Sequence, residues 1–161
     1  MRAASRVQLS PHFSYKEFIA SETAARHGIS NEMPGDLITN ARALCENLLE
    51  PARAELGPLR INSGYRSKLL NSLIGGAAHS QHIKGEAADV IPLAPGVSIG
   101  DLFRFFYFSD FPVDQVIFEM GAWVHVSHVL TGNPRRSALS ASKVGGKTTY
   151  FTLTEAQVKA L

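Results

Sequence analysis

The chain has 161 residues, 45% hydrophobic and 19% charged, the size and balance of one compact domain with its own core. A formal net charge of +2, with no Lys/Arg stripe and Arg135-Arg136 as the only adjacent basic pair, argues against nucleic acid as a partner. No run is apolar enough to span a bilayer, and the charged start Met1 to Ser10 lacks the apolar core of a secretory signal, so synthesis in the cytoplasm without membrane insertion is expected.

Residues 1–35 read as an N-terminal arm with short helices. Ser14 and Glu17 have capping-box spacing, and Ser21 to His27 adds a turn or two before Gly28. Asp36 is the expected N-cap of the longest helix, whose Leu37, Ala41, Leu44, Leu48 and Ala52 recur at spacings of three and four and form one buried stripe. Pro51 predicts a kink or break near Glu50, and the helical run should end before Gly57-Pro58. Cys45, the single cysteine, lies on the apolar side of this helix and reads as a buried, inert thiol rather than a nucleophile.

Leu59 to Ser63 alternates like a half-buried strand. Ser67 to Ile74 reads as a helix closed by Gly75-Gly76, and Glu86 to Ile91 as a second strand with Ala88 and Val90 inward. Ser98 opens a helix through Leu102, Phe105 and Phe106. Gln115 to Glu119 and Trp123 to Ser127 predict a hairpin with a three-residue loop, with Val116, Phe118, Val124 and Val126 on the core face and Glu119, Trp123, His125 and Ser127 on the other. Residues 132–148, rich in Ser, Gly, Arg and Lys, read as a mobile loop. A last strand at Thr149 to Phe151 and a helix opened by Thr154 complete an α+β fold: a small, mainly antiparallel sheet with helices on one face and a cleft on the other.

The run Ser80-Gln81-His82-Ile83-Lys84-Gly85-Glu86-Ala87-Ala88-Asp89, with His125, supplies two imidazoles and a carboxylate, the ligand set of a catalytic zinc site with one open position. With Gly85 turning the chain, His82, Asp89 and His125 can converge on one Zn²⁺ per chain. Glu119, diagonal to His125 across the hairpin, is the candidate general base; a solvated hairpin carboxylate is the alternative. Arg66 directly follows a strand and can stabilise an oxyanion or hold a substrate carboxylate, against the alternative of an exposed structural arginine. Trp123 either walls the cleft or packs a strand start. His79 is a candidate donor to the ligands or an exposed loop residue, His128 reads as structural, and His12 and His27 show no chemical partners.

Ser63-Gly64-Tyr65-Arg66-Ser67, Asn71, Gly75-Gly76, the run from Ser80 to Asp89 and Trp123-Val124-His125-Val126-Ser127 resemble, in order and spacing, the zinc D-alanyl-D-alanine peptidases of the M15 group, especially the branch in phages and prophages. The resemblance implies a hedgehog/DD-peptidase-like fold and zinc on His82, Asp89 and His125. It implies substrate contacts around Arg66 and Ser80, with Tyr65 and Asn71 in the same motifs, and cleavage of bacterial peptidoglycan peptides by a single domain spanning 1–161. A monomer is expected, reaching the wall by a phage, holin or lysis route. Many members carry the catalytic carboxylate three residues before the last zinc histidine, where this chain has Ala122; Glu119, six before, resembles the arrangement of the hedgehog signalling domain. A non-catalytic zinc-containing wall-binding or virion module, and a zinc hydrolase of another amide, are the alternative readings.

Overall fold

A computed structural model describes residues 7–161. Residues 1–6, part of the charged start, lie outside the described residues. Two short helices, α1 (Tyr15–Ile19) and α2 (Glu22–Arg26), begin where Ser14 and Ser21 accept the N–H groups of Glu17 (3.2 Å) and Ala24 (3.1 Å). Leu9, Phe13 and Phe18 of this arm are buried in the main core.

The longest helical run departs from expectation at its start, while the disruption expected near Glu50 in its middle is a π turn and not a break. Asp36 is not an N-cap: it sits within a 3-10 turn, Gly35–Leu37, whose own bonds from Leu37 N–H to Pro34 O and from Ile38 N–H to Gly35 O take up the first donors. α3 (Ile38–Leu44) then continues without a break through a π-helical turn, Cys45–Leu49, into α4 (Glu50–Leu56). Pro51 cannot donate to the preceding turn, and the chain absorbs that by widening one turn, with Glu50 N–H reaching back to Cys45 O. Ala41, Leu44, Cys45, Leu48, Leu49 and Ala52 are all fully buried. Burial pushes the Cys45 thiol far up, with the carboxylates of Glu17, Glu50 and Glu46 adding to it, so this cysteine is inert.

β1 (Leu59–Ser63) leads through α5 (Lys68–Leu73) and a 3-10 turn (Gln81–Lys84) to β2 (Ala87–Pro92). α6 (Ile99–Phe108) starts with a full capping box between Ser98 and Asp101. β3 (Gln115–Glu119) and β4 (Trp123–Ser127) form the expected hairpin with Glu119 opposite Trp123. β5 (Ser137–Val144), β6 (Lys147–Thr152) and α7 (Glu155–Lys159) follow.

The six strands make one open mixed sheet in the order β1-β2-β4-β3-β5-β6, parallel only between β3 and β5. Ala88, Val90, Val116, Val124 and Val126 point to one face, where the long helical run and α6 bury them with Leu102, Phe103 and Phe106. Each of these valine, leucine and phenylalanine side chains contributes about 1.5–3 kcal/mol of apolar burial. The opposite face is left for Asp89, His125, Ile117 and Glu119.

The stretch 132–148 is not simply a loop: β5 and the start of β6 occupy it, joined by Gly145-Gly146 with φ of 55° and 78°. Two consecutive positive φ values make the tight turn whose twist suits a hairpin. Gly146→Ala, which forces a side chain into that conformation, is expected to cost about 1–2 kcal/mol. Denaturant unfolding would measure the loss, and amide exchange should accelerate between 137 and 152 rather than in the long helix.

Candidate metal centre

Register builds the centre. Asp89 on β2 lies directly opposite His125 on β4, so both side chains leave the same face. Their atoms meet at 3.0 Å, His125 Nδ1 to Asp89 Oδ1. His82 arrives from the 3-10 turn, which Ser80 opens by accepting the His82 N–H (3.3 Å) and Gly85 closes with φ of 69°. His82 Nε2 stands 3.2 Å from His125 Nδ1 and 3.3 Å from Asp89 Oδ1.

The orientation of His82 is set from behind. Its Nδ1 lies 2.7 Å from the Gly64 carbonyl oxygen, to which it donates, leaving the Nε2 lone pair facing Asp89 and His125. Arg66 N–H returns a bond to the His82 carbonyl (3.1 Å). Asn31, invisible as a functional residue in the sequence, clamps the same segment: its Nδ2 donates to Tyr65 O (3.0 Å) and Ile19 O (2.7 Å), and its Oδ1 accepts from Ser67 N–H (2.7 Å). Asp114 is the other residue with no sequence signal. Almost fully buried, it accepts from Arg135 Nε (3.0 Å), a terminal Arg135 nitrogen (2.6 Å) and Gln81 Nε2 (3.1 Å), tying the turn that carries His82 to the segment after β4.

The three donor atoms therefore form a triangle with edges of 3.0, 3.2 and 3.3 Å. A tetrahedral ion with ligands at about 2.0–2.1 Å separates them by about 3.3–3.4 Å, so the residues present fit one small cation. The donor chemistry agrees, because two imidazole nitrogens and one carboxylate oxygen, donor types that a small divalent cation takes, converge on one point. Burial raises the Asp89 carboxyl, but His82 and His125 outweigh it and hold the group well below the usual carboxylate range, keeping it an electron-pair donor.

These groups open into a cleft of about 660 Å³, within the usual range of about 300–1,000 Å³ for ligand sites. Arg66, Glu119, Trp123 and Ser80 line it with the cluster. Burial, and then the charge of Asp89, push the Glu119 carboxyl up, opposed by His125 and Arg66. Arg66 Nε is buried without a hydrogen-bond partner among the described residues, and so is Trp123 Nε1.

Two expected substrate contacts are not brought to the cleft. Asn71 is buried and donates to Ala77 O (3.0 Å), holding the turn that follows α5, where Gly76 leaves room only for that amide. Tyr65 is buried on the other side of its segment, its N–H on Phe18 O (2.8 Å). His79 lines the cleft as an exposed residue, and no hydrogen bond joins it to the cluster among the described residues. His128 is structural, buried with Nε2 3.3 Å from Asn47 Nδ2. His12 does have a partner, Glu50, at 2.7 Å. From the far side, Leu139, Lys143, Thr148 and Tyr150 of the β5–β6 hairpin also reach the cleft.

Fold and site together define an α+β protein with a candidate metal centre at the floor of an open cleft. A family profile described as Peptidase M15 matches residues 11–127, and the chain belongs to that peptidase family. Membership implies a peptide substrate. No curated protein matches the chain. No helix among the described residues is long and apolar enough to cross a membrane.

A Cβ at Gly64 would collide with the Phe18 carbonyl oxygen and ring, so the carbonyl that orients His82 would have to move. Gly64→Ala is expected to weaken divalent-metal binding at this candidate centre by about tenfold to a hundredfold, read by chelator competition, with all three donor side chains still present.

Proposed function

We propose that this protein is a zinc metallopeptidase acting on stem or cross-link peptides of bacterial peptidoglycan, of the D-alanyl-D-alanine carboxypeptidase or endopeptidase type. The observation that carries the reading is the donor triangle of His82, Asp89 and His125 with Glu119 and Arg66 facing the same cleft. The narrower substrate assignment is supported by the order of the motifs from Ser63 to Ser127, which resembles the phage and prophage branch. We read residues 1–161 as a single peptidase domain that reaches the wall by a phage or lysis route.

His82 Nε2, Asp89 Oδ1 and His125 Nδ1 would hold the ion. Zinc there supplies Lewis acidity to a carbonyl oxygen and to water. Glu119 takes the proton of the attacking water as its oxygen bonds to the scissile carbon. A carboxyl raised by burial is a stronger base than an exposed one and suits that transfer near neutral pH. When the C–N bond breaks, Glu119 returns the proton to the leaving amine. Arg66 keeps its charge despite the downward pull of burial and offers an unpartnered Nε to developing negative charge.

Glu119→Gln keeps the shape and removes the base; release of new amino termini from purified peptidoglycan should fall by about a hundredfold or more while zinc content stays at one per chain. Turnover at the wild-type rate in the zinc-loaded variant would defeat the assignment of Glu119. Elemental analysis should find zinc lost from His82→Ala, Asp89→Ala and His125→Ala, and near-stoichiometric zinc in all three would defeat the ligand set.

A further inference from the structure

The β5–β6 hairpin lies beyond the residues matched by the family and builds one wall of the cleft. One cross-strand row runs through the hairpin: Trp123 on β4 is opposite Glu119 on β3, Glu119 is opposite Ala141 on β5, and Ala141 is opposite Tyr150 on β6. Residues directly opposite one another share a face, so Tyr150 stands on the same face as Glu119 with only the side chain of Ala141 between. Two strand spacings put their backbones about 9–10 Å apart, a gap that a phenol lying across a methyl group can bridge toward a glutamate. Ala141 is almost fully buried beneath that gap, while Tyr150 is half exposed, at 51%, and lines the cleft. Two residue pairs along the same hairpin, and so on the same face, Lys143 Nζ donates to Thr148 Oγ1 (2.9 Å), so the rim beside Tyr150 is braced across the strands.

We propose that the Tyr150 hydroxyl is a catalytic hydrogen-bond donor to the carbonyl oxygen of the scissile peptide, acting opposite Arg66. This inference rests on the peptidase reading. The charges around Tyr150 define its form. Partial burial, then the carboxylates of Glu119 and Asp89, push the phenol above its ordinary range, with Arg66 opposing. The group is therefore a neutral donor throughout the working pH range. Arg66, Glu119 and Tyr150 line the same cleft as the donor cluster, so the guanidinium, the base and the phenol all face the space where a substrate would lie. As the water oxygen bonds to the carbonyl carbon, the C=O electron pair moves onto oxygen, and the phenol strengthens its bond to that oxygen. When the C–N bond breaks and Glu119 returns the proton to nitrogen, the carbonyl reforms. Tyr150 keeps its proton at every stage.

The test compares zinc-loaded, full-length wild type and Tyr150→Phe, which keeps the ring and removes only the donor. Each is assayed on a soluble stem pentapeptide and on a cross-linked dimer of it, and each is titrated with a phosphinate dipeptide carrying a tetrahedral anion at the scissile position. The expected result is a fall in kcat of about tenfold to a hundredfold with KM within about twofold, and a matching loss of phosphinate affinity. Zinc content and thermal midpoint should equal wild type. Unchanged kcat and phosphinate affinity, or an effect confined to KM, would overturn the role of Tyr150 while leaving the peptidase reading intact. A wild type that cleaves neither peptide and binds no phosphinate would overturn that reading and this inference with it.

Discussion

The hydrogen bond from His82 Nδ1 to the Gly64 carbonyl, 2.7 Å long, joins the two halves of the site. On one side stands a segment pinned from three directions: Phe18 O holds Tyr65 N–H, Asn31 holds Tyr65 O and Ser67 N–H, and Arg66 N–H holds the His82 carbonyl. On the other stands a ring whose remaining nitrogen must accept. An imidazole has two nitrogens and, when neutral, one proton, so committing that proton to Gly64 decides which nitrogen meets Asp89 and His125. The irregular pairing of β1 with β2 between Ile61 and Ser63 brings the strand to Gly64 at this point. Gly64 itself has no space for a side chain against Phe18. The N-terminal arm thus contributes to the centre without lining it, through Phe18 and Asn31.

Two carboxylates on one sheet face are driven in opposite directions by their surroundings. Asp89 is flanked by two imidazoles and stays ionised well below the ordinary range. Glu119, two strands over and two residues along, is raised by burial and by the negative charge of Asp89. This separation suits the proposed division of labour, Asp89 holding a cation and Glu119 moving protons, and opposite environments are the usual physical basis for different roles in chemically identical groups. Arg66 limits the rise of Glu119 and balances the excess negative charge of the cleft.

The sequence carried the parts of this fold in which burial alternates. The stripe of the long helix, the inward valines of β2, β3 and β4, and the pairing of Glu119 with Trp123 all follow from period and turn length. β5 was missed because that signal is absent there: of its eight residues only Ala141 is buried, and β6, at the sheet edge, has none. The disruption expected near Pro51 takes the form of a π turn and not a break, because the intrinsic preference for a break yields to the burial of Leu44, Leu48 and Leu49 on one core. Asn31 and Asp114 had no local signal, since their partners are tens of residues away and a lone polar residue looks the same in a turn as in a clamp. The candidate donor cluster was legible because His82 and Asp89 lie within one short run, and strand register carries His125 to them.

Nitrogen-resolved NMR of the histidines in the zinc-loaded protein tests the central constraint most directly. The account predicts opposite forms for the two ligands: His82 protonated at Nδ1 and bound through Nε2, and His125 bound through Nδ1 and protonated at Nε2. Finding His82 unprotonated at Nδ1, or both rings bound through the same nitrogen, would contradict it.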